Sequence, residues 1–93
     1  MLMHPFQIVV ELSANRHYRM NVERVIATNL MEQYKVTAKN HVLLLSTDRP
    51  LHYAKGEGHS PWDWKLIEGT CPAWFLKEIV QQIRKTIVWM EMH

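Results

Sequence analysis

Three side chains able to ligate zinc or manganese, His52, His59 and Asp63, fall close together in the chain. Converging across a loop, they would make an open metal site. Their spacing follows no ligating motif, and ordinary surface polar groups account for it equally well, so no metal is assigned. Cys71 stands just before an expected helix amino terminus, where the helix dipole lowers a thiol pKa. Cysteine is also among the most frequently buried residues, and no base accompanies this one. Histidine acid–base chemistry on a phosphodiester needs His17, set between Arg16 and Arg19, to meet His52 or His59 in space. The nine acids are scattered and nominate no carboxylate pair. Gly56-Glu57-Gly58 lacks the third glycine of a phosphate loop, and no helical pattern follows at once. The chain is therefore read as having no cofactor and no catalytic residue, with a small His-dependent nuclease kept as a lesser alternative.

Binding chemistry is better represented. Arg16, His17, Tyr18, Arg19 and Arg24, with Lys35 and Lys39, could hold phosphates while Tyr18 stacks on an unpaired base. Glu11, Glu23 and Glu32 fall in the same elements and dilute that field. The aromatics crowd the second half, with Trp62, Trp64, Trp74, Phe75 and Trp89 among its residues. They exceed what a small core needs, and any left outside are natural partner anchors, because tryptophan contributes a large contact area for little entropy loss. Trp62, Trp74, Phe75 and Trp89 are the partner-binding candidates. The apolar ending Ile87-Val-Trp-Met-Glu-Met-His93 adds to this, and a homodimer is its simplest outcome.

These side chains must be positioned by a few short elements. Residues 6–12 read as a strand, with Ile8, Val9 and Val10 favouring the pleat. Residues 13–16 have turn chemistry, and a return strand over 17–20 closes a hairpin. Asn21 then resembles an N-cap, and Val22, Val25, Ile26, Leu30 and Tyr34 step by three and four, which predicts a helix to about Tyr34. The alternative is that the return strand continues through Val25, since Tyr18, Met20 and Val22 also alternate. Val42 to Leu45 is apolar on both faces, as in a strand covered on both sides. Asp48-Arg49-Pro50 turns into an expected edge strand over 51–54, residues 55–61 form an exposed loop, and residues 62–67 read as a strand. Pro72 opens a long helix whose stripe is Leu76, Ile79, Val80, Ile83, Ile87 and Met90.

The sum is one α+β domain over residues 1–93, with two helices packed on a largely antiparallel sheet of four to five short strands. Its 93 residues are too few for two cores. At 47% hydrophobic and 22% charged, disorder throughout is excluded. No apolar run approaches the ~20 residues of a membrane span. A single cysteine makes no internal disulfide. Without a signal-peptide pattern at the first residues, the expected location is the cytoplasm. The net charge of +2 is too small to argue nucleic acid alone. Its basic part lies in the first 55 residues, with seven Lys/Arg against four acids. The leading expectation is a non-enzymatic cytosolic module that acts by protein–protein contact, in character like the small inhibitors of host macromolecules carried by phages and mobile elements. Tryptophan and Phe75 would anchor the partner, and the hairpin around Arg16 and Arg19 would steer toward an acidic surface. Nucleic-acid binding through that hairpin is the alternative.

Overall fold

The computed structural model describes residues 4–56 and 62–92. Strict alternation dominates the first half. In β1 (Phe6–Ser13) Ile8 and Val10 point inward, while Gln7, Val9 and Glu11 point out. In β2 (Arg16–Ala27) Met20 and Val22 are inward, and in β3 (Glu32–Ala38) Glu32, Tyr34, Val36 and Ala38 are. With β4 (His41–Thr47) and β5 (Trp64–Glu68) they form one antiparallel sheet in sequence order, a meander. The helix expected from Asn21 to about Tyr34 is instead the second half of β2, a turn and the start of β3. The stripe that suggested it counted Val25, Ile26 and Leu30, all of which lie exposed. Alternation at Met20, Val22 and Arg24, together with β-branched residues, prevails. The reversal is fixed by Thr28, whose hydroxyl accepts the Leu30 and Met31 amides at 3.1 and 3.0 Å.

The expected edge strand over 51–54 is also corrected. Pro50 presets a helical φ in the first turn, and the Asp48 carbonyl accepts the Leu51 amide at 3.0 Å. The result is a six-residue helix, α1 (Arg49–Ala54). The only long helix among the described residues is α2 (Ala73–Met92), so a single helix covers the sheet where two were expected. Its stripe of Ile79, Ile83 and Ile87 is fully buried against Ile8, Val10, Met20, Val22, Tyr34, Val36, Leu43 and Leu45. The other face of the sheet is open. Val42, read as covered, is 53% exposed there, alongside Val9 and Ile67. Most of the loop expected over 55–61 lies outside the described residues.

Gly69 joins β5 to α2 at φ +94°, where a Cβ would stand 2.6 Å from both the Val42 carbonyl oxygen and Leu43 Cδ2. The chain can pass this close to β4 only without a side chain. That passage brings Cys71 and Pro72 over the end of the sheet. Among the described residues no helix is long and apolar enough to cross a membrane.

Candidate functional site

Chemistry-bearing side chains gather at the two opposite ends of the sheet. At one end, β3 opens with Glu32, an inward carboxylate only 2% exposed. Its Oε1 accepts from Arg49 Nε at 2.7 Å and from the Tyr34 hydroxyl at 3.1 Å. Its Oε2 accepts from Arg24 Nη1 at 2.9 Å and Arg49 Nη2 at 3.0 Å. Arg49 thus grips Glu32 in two-point fashion and also pairs with Glu91 in the last turn of α2, which accepts the Tyr53 hydroxyl as well. The Arg49 guanidinium lies over the rings of Tyr53 and Trp62, at 5.0 and 5.6 Å from their centroids, and Arg84 covers Trp62 at 5.5 Å.

Burial alone would push the Glu32 carboxyl up. Hydrogen bonds and charge from Arg49, then Arg24 and Tyr34, overcome this and hold it below the usual carboxylate range. Burial and the neighbouring Glu32 carboxylate push the Tyr34 phenol up. For Arg49, burial opposes the charge, but Glu32 outweighs it and keeps the group cationic. Burial and the bond to Glu91 raise Tyr53. A cleft of about 310 Å³ opens beside this cluster, lined by Arg24, Glu32, Arg49 and Tyr53 among others. Both arginines there are paired with carboxylates, and each Glu32 oxygen accepts two hydrogen bonds. The arrangement locks β2, β3, α1 and the end of α2 together.

At the other end, the β1–β2 turn, the start of β4 and the β5–α2 connection surround a pocket of about 270 Å³. Leu12, Tyr18, Met20, Leu43, Pro72 and Phe75 form its apolar walls, with His41, Thr70 and Cys71 between them and Trp74 at its rim. Tyr18 and Phe75 meet edge to face at 5.9 Å, and Phe75 meets Trp74 likewise at 5.5 Å. Trp74 remains 58% exposed. Burial pushes the Cys71 thiol up, away from the thiolate a nucleophile needs. His41 shares the pocket, yet no hydrogen bond joins it to Cys71. Arg16 and Lys39 stand at the two turns at this end of the sheet, and Lys77 and Glu78 follow Phe75 on α2, while Glu11 and Arg19 point to the other face.

The residues singled out in the sequence are divided by the fold. Trp74 and Trp89 lie outside, the latter 60% exposed. Phe75 is half-buried in the pocket wall. Trp62 is buried between Arg49 and Arg84 and so offers no surface as a partner anchor. The five candidates for phosphate contact do not share a face. His17 and Arg19 point to the open side of the sheet and Arg16 sits at the turn, while Tyr18 points inward and Arg24 reaches Glu32. Of the three metal candidates, His59 lies outside the described residues. His52 and the Asp63 amide both bind Asp48, at 3.1 and 2.9 Å. No group of three or more potential metal ligands forms among the described residues.

Sequence reading missed the Glu32–Arg49–Glu91 cluster because it placed Glu32 on a helix. Once β3 is recognised, a carboxylate in line with Tyr34, Val36 and Ala38 must be inward and must have a partner. Comparison of the chain with protein-family models, with curated proteins and with solved structures gives no match.

Proposed function

We propose that the protein is a non-enzymatic binding module that engages a partner protein by contact. It receives an apolar side chain of an acidic segment in the pocket walled by Tyr18, Leu43 and Phe75. The observation that carries this reading is the exposed Trp74 indole standing over an apolar pocket, with the cations Arg16 and Lys39 at the two adjoining turns. A rigid aromatic rim beside a desolvated recess is the form of an interface anchor. The surrounding charge would set the sign of the partner and speed its approach. Inhibition of a host macromolecule, in the manner of small phage-borne proteins, is the form this contact takes if the docked segment belongs to a working surface of the partner.

The probe is a synthetic peptide with one leucine between two acidic residues on each side, titrated by tryptophan fluorescence and calorimetry. Binding should weaken about 10-fold in Trp74→Ala, equivalent to about 1.4 kcal/mol. It should also fall with salt, since screening shortens from ~10 Å at 0.1 M to ~3 Å at 1 M. Cys71, the only thiol, supplies an independent readout, because an occupied pocket slows its alkylation. No binding at millimolar peptide, or equal binding of a peptide with glycine for leucine, contradicts the proposal. Tighter binding of single-stranded nucleic acid lost in Arg16→Ala/Arg19→Ala would replace it with the nucleic-acid reading.

A further inference from the structure

The outward side of α2 is complementary to itself when reversed. At about 100° per residue, Trp74, Glu78, Gln81, Lys85 and Trp89 fall within one stripe roughly 80° wide. That stripe lies opposite the buried Ile79, Ile83 and Ile87. Trp74 and Trp89 are the two most exposed aromatic side chains on the helix, and Gln81 and Lys85 between them are exposed as well.

Consider a second α2 laid antiparallel, with a two-fold axis passing between Gln81 and Gln82. Trp74 then faces Trp89 of the second copy, and Glu78 faces its Lys85. Gln81 meets Gln82, and each of these contacts is repeated by symmetry. The parallel arrangement would set Glu78 against Glu78 and Lys85 against Lys85, which is repulsive. Two aromatic pairs flanking two opposite-charge pairs is the self-complementary pattern that a two-fold interface requires. The helix is also held stiff to its end, because Glu91 in its last turn is tied to Arg49 and Tyr53.

We propose that the protein forms a two-fold homodimer through antiparallel pairing of α2, a second copy of this chain being the occupant of the stripe. The dimer does not depend on the pocket reading, but it bears on it. Trp89 of the second copy comes to lie beside Trp74, at the rim of the pocket. The rim is then completed by the partner copy, and the two Trp74 rims lie about 22 Å apart along the helix axis. An acidic partner with two docking segments at that spacing would bind with avidity.

The interface is small, at the low end of specific contacts near 1,200 Å². Association is therefore expected in the micromolar range. Sedimentation equilibrium of the full chain from roughly 1 to 200 µM reads it directly. Glu78→Lys and Lys85→Glu should each weaken the dimer about 10-fold or more. The doubly exchanged chain should recover it, because the pairs are merely reversed. Mixing the two single variants should give a heterodimer tighter than either homodimer, with both contacts satisfied. Trp89→Ala should be monomeric, with circular dichroism unchanged because the side chain lies outside the core. A monomer across the whole range overturns the proposal. So does a dimer indifferent to all three single substitutions, or one that the double exchange fails to restore. Peptide binding at the pocket is read in a separate titration, so either proposal can fail without the other.

Discussion

At the scale of single residues, the most consequential side chain is Glu32. It is surrounded by Arg49, Arg24 and Tyr34, and replacing it leaves a buried guanidinium without its principal counter-charge. Glu32→Gln is expected to cost about 3 kcal/mol, measured by urea unfolding. That is a large part of the roughly 5–14 kcal/mol available to a domain of this size. The same residue sets a pH dependence. Its folded pKa lies below the ordinary 4.5, so the unfolded chain binds the proton more readily. The stabilisation is fully present above about pH 4.5 and is lost as the pH falls through the folded value. The difference in stability between the wild-type chain and Glu32→Gln should be constant from pH 5.5 to 7 and shrink on further acidification. A difference that grew as the pH fell would contradict this assignment. None of the cluster was legible as a site beforehand. Glu32 and Arg49 are 17 positions apart, and Glu91 lies 42 beyond Arg49, separations that only the folded sheet closes.

Among the elements, legibility followed the strength of the periodicity. The stripe of α2 repeats over about four turns and admits no other reading, so Ile79, Ile83 and Ile87 were foreseen as core and are buried. Ile83→Ala is expected to cost 2–5 kcal/mol, whereas Trp89→Ala on the opposite side of the same helix should change monomer stability by less than about 1 kcal/mol. Equal costs would mean that α2 is seated on the wrong face. The span from Asn21 to Tyr34 is different. The helical stripe of Val22, Val25, Ile26, Leu30 and Tyr34 competes with the alternation of Tyr18, Met20 and Val22, and local pattern cannot decide between them; pairing with β1 and β3 does. Residues 51–54 misled for another reason, because a proline read as a turn also opens a helix. At the joint between β5 and α2, Gly69→Ala adds a Cβ 2.6 Å from the Val42 carbonyl oxygen at a positive φ. We expect a loss of about 2–3 kcal/mol, together with weaker peptide binding, since Cys71, Pro72 and Trp74 follow directly. A neutral substitution would show that the approach to β4 relaxes easily.

At the scale of the whole molecule, the two ends of the sheet divide the work. One end spends its charges on each other and fastens α1 and the last turn of α2 to the strands. The other leaves an apolar recess and an exposed indole, with Arg16 and Lys39 at the adjoining turns. The sequence already showed more aromatic side chains than a small core could hold, and of the tryptophans Trp74 and Trp89 are the ones outside. It did not show that Trp62 is enclosed, because its covering cations, Arg49 and Arg84, come from two different helices. Nor did it show the pocket, whose lining residues run from Leu12 to Phe75. Amide chemical-shift mapping with the acidic leucine peptide tests the contact reading most directly, because it reports which surface is used. Shifts should concentrate at Leu12, Tyr18, His41, Cys71 and Phe75 and diminish in high salt. Shifts confined to the open face of the sheet, at Val9, Lys35 and Leu44, or none at millimolar peptide, would contradict it.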